Sequence, residues 1–432
     1  MIKSFIEKCN HNKDKDAFRY IKKSSLKSKT YQELLHDVYR LCNLFEESGL
    51  KKNDKIIVFV SPSYELYCLM FAGLMYGINI IVIDSFKDKK KLKYMIELSN
   101  AEYVFVNRKT KFISRILLRN IKKIDITNYK KYNAVYHNYD VDDKSIVLTT
   151  FTSGTTGIPK PIHRSFLDFR KQIEILKKNY VFNETDVIVC MLPIYVLFSL
   201  FNGNTTCIVK QLNNCNINKL KGDVLLGKIA DVLKINDKIT RLKEVYLGGA
   251  YIYKNECQKI MNTFIGTKIN YTYGSSEGVV IGRNTLNDFY FNNRFKLVEG
   301  LNVEIKDDVN NVGEIVISGN SVITSNSKHN TGDIGYIENN YIHILGRKKY
   351  SSLNDQFYNY VKDQEIRENF NLDKAFSVWY NNKSYVFTTK VIKNSGFLKV
   401  TKIPYDLKHQ TKADYTKLIN KYLNKNNNNK QK

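Results

Sequence analysis

The chain has 432 residues, of which 43% are hydrophobic and 12% aromatic, and its formal net charge is +26. A chain of this length exceeds what one compact core usually holds, so two or more domains are expected, and the apolar content excludes global disorder. The excess of Lys and Arg would attract polyanions, but its spread along the whole chain favours a composition bias over a nucleic-acid-binding surface.

Neither the start of the chain nor the uncharged run at 66–83 predicts export or a membrane span. Residues 1–15 mix charges with Ile and Phe, unlike an export leader. Residues 66–83 carry no charge, but Gly73, Gly77 and Asn79 interrupt them, which favours a buried helix that leads into a buried strand. The seven cysteines are scattered and form no CxxC pair, as is typical of reduced thiols in a cytoplasmic protein without structural zinc.

Helical and strand patterns alternate through the first 270 residues. The predicted helices cover 31–50, 64–76 and 89–98, and the predicted strands cover 55–60, 78–83, 103–106, 187–191, 206–209 and 244–247. This alternation is typical of an α/β fold with mostly parallel sheets that helices cover.

The pattern changes from Lys296 onward to short β segments separated by turn residues. These segments cover 303–305, 314–318, 334–337 and 341–345, and two further strands are expected at 375–380 and 384–390. We predict a large N-terminal domain over residues 1–347 that includes a small β subdomain, and a small, mobile α+β C-terminal domain over 348–423. Residues 424–432 are almost all Asn, Lys and Gln, so a disordered tail is expected there.

The most informative motif follows the apolar, strand-like run at 145–148. It consists of Thr152, Ser153, Gly154, Thr155, Thr156, Gly157, Ile158, Pro159 and Lys160. Two glycines and four hydroxyl residues leave backbone N–H groups and side-chain hydroxyls free to approach phosphate oxygens, and the final lysine adds a cation. The motif lacks the Gly-Lys-Ser/Thr ending of a Walker loop. It predicts a phosphate-binding loop of another type.

This loop resembles the phosphate-binding signature of the adenylate-forming, or AMP-binding, superfamily, and the chain is most similar to acyl-CoA synthetases and fatty-acid-type acyl-adenylate ligases. Four further motifs agree with that superfamily in identity and order, and the likeness extends over about residues 15–420. These motifs are Gly248-Gly249-Ala250, Tyr273-Gly274-Ser275-Ser276-Glu277, Thr331-Gly332-Asp333 and Gly346-Arg347.

The resemblance implies an ATP site with Mg²⁺. Gly248, Gly249 and Ala250 would contact adenine, and the ring of Tyr273, beside Gly274, would stack on it. Ser276 would hydrogen-bond the α-phosphate, and Glu277 would hold Mg²⁺, a hard cation that prefers oxygen ligands. Asp333, which only accepts hydrogen bonds when ionised, and Arg347 would bind the ribose hydroxyls.

The resemblance also assigns roles in the C-terminal tail. Pro404, Asp406, His409, Lys412 and Asp414 match the end of some fatty-acid-type ligases, where the matching lysine is catalytic. That match makes Lys412 the catalytic lysine, with Lys408 and Lys417 as competitors. Lys349 is the expected hinge, and the glycine of the family's mobile loop falls on or near Gln356, a departure that bears on transfer to a thiol.

The acyl site is expected to involve Tyr195 or Val196 together with Gly278. Residues 188–201 contain no acid that would pair with an amino group, which favours a fatty or other apolar acid as substrate. The resemblance thus implies an enzyme that activates a carboxylic acid with ATP and passes the acyl group to coenzyme A. Two alternatives remain: loading of a carrier protein's phosphopantetheine, and a non-catalytic protein that binds nucleotides or nucleic acid.

Overall fold

The computed structural model describes residues 1–83, 88–152, 159–209, 212–324, 327–392, 395–405 and 413–424. The chain divides into two compact units. The first comprises Met1–Gly227 and Arg241–Glu244, and the second Lys228–Thr240 and Val245–Lys432. The domain boundary after residue 347 stays a prediction, and the predicted disordered tail lies outside the described residues from 425 onward.

The first unit contains helices α1 to α8 and strands β1 to β11. The helices are α1 (Ile2–His11), α2 (Tyr31–Glu47), α3 (Tyr64–Tyr76), α4 (Lys89–Ser99), α5 (Lys111–Leu117), α6 (Phe166–Asn179), α7 (Pro193–Phe201) and α8 (Asn214–Leu220). The strands are β1 (Asp16–Lys22), β2 (Ser25–Thr30), β3 (Lys55–Phe59), β4 (Asn79–Val82), β5 (Tyr103–Val106), β6 (Lys122–Asp125), β7 (Ile146–Thr152), β8 (Lys160–Ser165), β9 (Val187–Cys190), β10 (Thr205–Ile208) and β11 (Val224–Lys228). A short 3₁₀ helix covers Tyr129–Lys131.

One sheet of this unit has the strand order β6-β5-β3-β4-β7-β8. Strands β3 to β7 pair in parallel, and β8 joins the edge antiparallel to β7. The predicted helix at 64–76 is α3, which begins after the N-cap Ser63 and ends at Gly77 in the left-handed conformation. The buried side chains of Ile57, Ile81 and Val104 form a core with residues of α4 and with Leu118, which follows α5.

The other strands of the unit have the order β11-β9-β10-β1-β2. They are parallel except for the hairpin of β1 and β2. The sequence patterns did not predict this hairpin, whose second strand is mostly exposed and polar. Helix α2 follows it at Thr30, whose side chain caps the helix together with Glu33.

The second unit contains α9 to α13 and β12 to β22. The helices are α9 (Ile229–Val232), α10 (Lys254–Thr263), α11 (Leu286–Asn292), α12 (Asn359–Asn369) and α13 (Tyr415–Leu418), with a 3₁₀ helix at Lys348–Tyr350 and a π-helical turn at Ile419–Leu423. The strands are β12 (Glu244–Gly248), β13 (Lys268–Tyr273), β14 (Gly282–Thr285), β15 (Phe295–Leu297), β16 (Asn302–Val309), β17 (Val312–Ser318), β18 (Lys328–Glu338), β19 (Tyr341–Arg347), β20 (Ala375–Tyr380), β21 (Lys383–Thr388) and β22 (Leu398–Lys399).

Strands β12 to β19 of this unit have the order β16-β17-β18-β19-β15-β14-β13-β12, and β20 to β22 form a separate sheet. In this sheet order, every neighbouring pair between β13 and β16 is antiparallel, as expected of the predicted β subdomain. The prediction of an α/β fold with a large N-terminal and a small C-terminal part is confirmed. Among the helices of the described ranges, none has the length and apolar character that a bilayer crossing requires.

Candidate active site

A tight turn carries the motif residues 273–278 from the end of β13 to the start of β14. The Ser275 hydroxyl accepts a 3.0 Å hydrogen bond from the backbone N–H of Gly278, and the Ser275 carbonyl accepts one of 2.8 Å from Val279. The backbone of Ile281 returns to Tyr273 with a 2.9 Å bond. The turn thereby fixes the positions of Ser276 and Glu277 between two paired strands.

Two backbone features make this turn specific. A Cβ atom on Gly274 would lie 1.9 Å from the Val279 carbonyl oxygen, so only glycine fits there. Val279 itself has a φ of 59°, a left-handed conformation that is rare for a β-branched residue. Backbone strain of this kind concentrates at functional sites.

Three side chains from separate motifs meet beside the turn. Asp333 and Arg347 are Cα partners on β18 and β19, and their side chains form an ion pair of 2.8 Å. The hydroxyl of Tyr273 donates a 2.9 Å bond to the other carboxylate oxygen of Asp333. The Thr331 hydroxyl accepts from the backbone of Asp333, and Arg347 donates to the Thr331 carbonyl at 3.1 Å. We name Tyr273, Asp333 and Arg347 the ribose cluster, after the role that the resemblance implies.

The ribose cluster keeps unused hydrogen-bonding capacity. Each oxygen of Asp333 accepts one bond from its cluster partners, and an ionised carboxylate offers about four acceptor positions. Arg347 uses one terminal nitrogen in its bonds to described residues, which leaves its other N–H donors available. The cluster can therefore accept from, and donate to, a pair of hydroxyl groups at the same time.

The electrostatics of the cluster favour a charged Arg347 and a protonated Tyr273. Asp333 raises the pKa of the Arg347 guanidinium, which stays charged. Burial and the negative charge of Asp333 raise the pKa of Tyr273 well above its usual value, so its hydroxyl remains a donor. No proton needs to move for the cluster to bind a neutral sugar.

Glu277 lies near a histidine that the sequence patterns did not single out. The carboxylate of Glu277 is 3.6 Å from Nε2 of His329, on β18, and both side chains are largely buried. The backbone carbonyl of Glu277 accepts a 3.1 Å bond from Ile323. The only sequence signal for His329 is its place two residues before Thr331.

The predicted adenine-contacting turn begins where β12 ends at Gly248. Gly249 has a φ of 94°, and the carbonyl of Ala250 accepts a 2.7 Å bond from the hydroxyl of Tyr271 on β13. A Cβ on Gly248 would lie 3.3 Å from the Thr272 carbonyl, so the turn packs closely against β13. The turn therefore packs against β13, the strand that also carries Tyr273 of the ribose cluster.

The strands that flank the predicted phosphate loop belong to the first unit. Thr152 at the end of β7 and Lys160 at the start of β8 are Cα partners in an antiparallel pair, and Lys160 is exposed. Ser153, Gly154, Thr155, Thr156, Gly157 and Ile158 lie outside the described residues. Behind the loop, Arg164 of β8 donates a 2.8 Å bond to Thr150 of β7. The paired strands bring the two ends of the loop together.

Tyr195 and Val196 lie in the first turn of helix α7 in the same unit and have different surroundings. The hydroxyl of Tyr195 lies 2.8 Å from that of Tyr180, and burial raises its pKa well above the usual value. Val196 is buried among core residues. Gly278, the third predicted acyl-site residue, is in the second unit, where a Cβ would lie 2.5 Å from Ile317.

In the tail, the predicted catalytic Lys412 and its competitor Lys408 lie outside the described residues. The other competitor, Lys417, is exposed and forms a 2.8 Å ion pair with Asp414. The predicted hinge, Lys349, lies in the 3₁₀ helix that follows β19. Gln356, which occupies the family's glycine position, has a φ of 49°, so it adopts the backbone conformation that favours glycine.

A family model described as AMP-binding enzyme matches residues 5–325. The chain therefore belongs to the AMP-binding enzyme family, and the resemblance seen in its motifs is confirmed.

Among its relatives, the putative long chain fatty acid-CoA ligase VraA of Staphylococcus haemolyticus is 22% identical over 276 residues, which cover 58% of this chain and 59% of that protein. The polyketide synthase-nonribosomal peptide synthetase ffsA of Aspergillus flavipes is 26% identical over 153 residues, which cover 35% of this chain and 4% of that protein. The chain thus matches less than two thirds of the length of these relatives.

Among solved structures, the o-succinylbenzoate coenzyme A synthetase MenE of Bacillus subtilis, in complex with ATP and a magnesium ion, superimposes with a TM-score of 0.79. The sequence identity is 15%, and the match covers 93% of this chain and 96% of MenE. This likeness establishes the fold.

Proposed function

We propose that this protein joins a carboxylic acid to the α-phosphate of MgATP, releases pyrophosphate, and then transfers the acyl group from the adenylate to the thiol of coenzyme A. The observation that carries the proposal is the ribose cluster, in which residues from three motifs of an AMP-binding enzyme make direct contact. Its remaining acceptors and donors suit the two hydroxyl groups of a ribose.

The chemistry asks the protein to position groups and to neutralise charge. The carboxylate oxygen attacks the α-phosphorus, the bond to the bridging oxygen breaks, and the electron pair leaves with pyrophosphate. The ribose cluster holds the nucleoside, and Ser276 donates to an α-phosphate oxygen. The loop at 152–160, which ends on exposed Lys160, binds the outgoing phosphates. Lys412 adds positive charge at the reacting oxygens.

Glu277 is the residue that would hold the magnesium ion. A carboxylate in a fixed turn suits this hard cation, and the ion would supply charge neutralisation at the phosphates. His329 lies close enough to orient that carboxylate. The MenE complex contains ATP with magnesium, which supports the same pair of ligands here.

The proposed substrate is a fatty or other apolar acid. Helix α7 carries Tyr195 in its first turn and is otherwise mostly apolar, and it contains no acidic residue that would bind an amino group. The name of the relative VraA, a putative long chain fatty acid-CoA ligase, supports the same class. The match to a nonribosomal peptide synthetase favours, as a second candidate, transfer to the phosphopantetheine of a carrier protein.

Acid-dependent exchange of labelled pyrophosphate into ATP tests the first step. We expect exchange with fatty acids and not with amino acids, and a loss of roughly 10²-fold or more in Glu277→Gln, because that change removes a charge that the reaction needs. Glu338 is an exposed acid at the end of β18. The Glu338→Gln variant is therefore the matched control and should exchange pyrophosphate as the wild type does. Exchange with amino acids alone would contradict the proposed fatty or apolar acid substrate. Absence of exchange with every acid tested would contradict the proposed enzymatic function and favour a non-catalytic protein.

The acceptor is tested separately, with the acyl-adenylate already formed. Incubation with coenzyme A should give acyl-CoA, whereas incubation with a purified carrier protein should give no acylated carrier. Transfer to the carrier alone would select the second candidate.

A further inference from the structure

Helix α5 turns an apolar face to solvent. Phe112, Ile113, Ile116 and Leu117 are 72%, 48%, 59% and 38% exposed. At 100° per residue they cover one continuous side of the helix, which we name the α5 patch. A single exposed apolar residue needs no explanation, but four on one face mark an interaction surface.

The opposite side of α5 faces the core through Ser114 and through Leu118, which follows the helix. Ser114 is buried and donates a 2.7 Å bond to the Lys111 carbonyl. Leu118, just after the helix, belongs to the core cluster that also contains Ile57 and Val104 of the sheet. The helix therefore has one face for the core and another that nothing in the described part of its unit covers.

Basic residues surround the patch. Residues 106–124 contain seven Lys and Arg and no Asp or Glu. They are Arg108, Lys109, Lys111, Arg115, Arg119, Lys122 and Lys123. Lys111 pairs with Asp125, Lys122 lies over the Tyr103 ring, and Lys123 donates to carbonyls at the end of the helix.

The other four cations, Arg108, Lys109, Arg115 and Arg119, are exposed, and their side chains pair with no acid of the described residues. Their charge is therefore available to a partner.

Helix α4 extends this surface. It packs through Leu92 and Met95 into the same core cluster as Leu118. Helix α4 connects β4 to β5 and α5 connects β5 to β6, so both connections run toward the β6 edge of the parallel sheet. Right-handed crossovers therefore place the two helices on the same face of the sheet. On α4, Tyr94 and Leu98 are exposed, and Lys93 beside them forms a 3.8 Å ion pair with Glu97. Exposed apolar side chains thus recur on two neighbouring helices.

We propose that this face docks on the surface of an anionic lipid bilayer. Apolar side chains enter the boundary between headgroups and acyl chains, while the surrounding Lys and Arg side chains bind anionic headgroups. The protein binds as a peripheral protein, independently of its proposed enzymatic function.

The charge pattern favours this partner over two others. A second copy of the chain would bring two sets of unpaired cations together, and like charges at an interface are unfavourable. Nucleic acid would use the cations but would leave the four apolar side chains of the patch without a partner, since its binding rests on phosphate contacts. A lipid surface uses both the charges and the apolar face.

Vesicle co-sedimentation of the full chain tests the proposal. We expect binding to phosphatidylcholine vesicles that contain about 30% phosphatidylglycerol, weaker binding to phosphatidylcholine alone, and a loss of binding as salt rises. The double variants Phe112→Ser/Ile116→Ser and Arg115→Gln/Arg119→Gln should each bind roughly tenfold more weakly or worse. Both should keep the pyrophosphate exchange of the wild type, which reports intact folding.

Matched controls remove the same chemistry elsewhere. Val181→Ser/Phe291→Ser replaces two exposed apolar residues, and Lys27→Gln/Lys383→Gln removes two exposed cations. Both should bind vesicles like the wild type. The proposal is overturned if the wild type ignores anionic vesicles, if the α5 variants bind as well as the controls, or if the patch variants abolish a dimer or nucleic-acid binding while vesicle binding persists.

Discussion

The hydroxyl of Tyr253 donates a 2.6 Å hydrogen bond to the carboxylate of Asp363, and both groups are buried. Tyr253 is the N-cap of α10, and Asp363 lies in the middle of α12, 110 residues later. The same carboxylate accepts from the hydroxyl of Ser377 at 2.6 Å and from that of Tyr415 at 3.2 Å. A single acid thus ties three parts of the tail to the start of α10.

This acid makes the stability of the second unit depend on pH. Burial raises the pKa of Asp363 to about 6, although hydrogen bonds from Ser377 and Tyr253 and the charge of Arg367 lower it. The folded pKa lies above the unfolded value, so the carboxyl contributes its full stability below about pH 4 and loses it as pH rises through about 6. The difference corresponds to about 3 kcal/mol.

Urea unfolding measures this effect through Trp379, the only tryptophan, which lies on strand β20 of the tail. We expect the free energy of unfolding of Asp363→Asn to change less than that of the wild type between about pH 4.5 and about pH 7.5, because Asn stays neutral. The wild type should lose stability relative to the variant as pH rises. Parallel pH profiles for the two proteins would contradict the assignment.

The sequence could not predict this buried network, whereas it did predict the elements around it. Strands at 375–380 and 384–390 follow from runs of β-forming residues and agree with β20 and β21. Nothing local to Tyr253 or Asp363 indicates that they meet, because a contact across 110 residues depends on tertiary packing. The same holds for His329 beside Glu277.

Contacts within the motifs are easier to predict from the sequence, because they depend on local geometry. The close approach at Gly274 and the pairing of Asp333 with Arg347 arise within turns and neighbouring strands. The hairpin of β1 and β2 was missed because its second strand exposes polar side chains, so it lacks the apolar alternation that indicates a half-buried strand.

Replacing Arg347 by Lys should weaken ATP binding without unfolding the protein. Lys keeps the positive charge, but it loses the guanidinium N–H donors that Arg347 does not use on Asp333 and the Thr331 carbonyl and that remain for the ribose. We expect KM for ATP to rise about tenfold, equivalent to about 1.4 kcal/mol. Pyrophosphate exchange at varied ATP measures it.

The matched control for Arg347 is Arg294→Lys. Arg294 binds Asp288 through two nitrogens at 3.1 Å in the same unit, so this change disturbs a similar pair outside the ribose cluster. It should leave KM for ATP unchanged. A similar rise in both variants would show that the effect is general destabilisation.

Gly274→Ala should abolish most activity while the chain stays folded. The added Cβ would overlap the Val279 carbonyl oxygen, so the turn that carries Glu277 must move, and a shift of about 1 Å at a reacting site can cost about 10²-fold. Gly266→Ala is the control, because its φ is also positive, at 68°, but its Cβ meets nothing within 4 Å. It should lose about 1 kcal/mol of stability and keep full exchange activity. Equal activity in the two variants would contradict the prediction that the position of this turn is needed for adenylation.

The last prediction concerns which tail lysine acts in the adenylation step. Lys417 is held by Asp414 at 2.8 Å, so its charge is already partnered, and Lys417→Ala serves as the control. Lys412→Ala should slow acid-dependent pyrophosphate exchange by about 10²–10³-fold, because it removes a charge aimed at the transition state, while ATP binding measured by calorimetry is largely kept. A loss of exchange in Lys417→Ala or Lys408→Ala, with Lys412→Ala unaffected, would move the catalytic role to that residue.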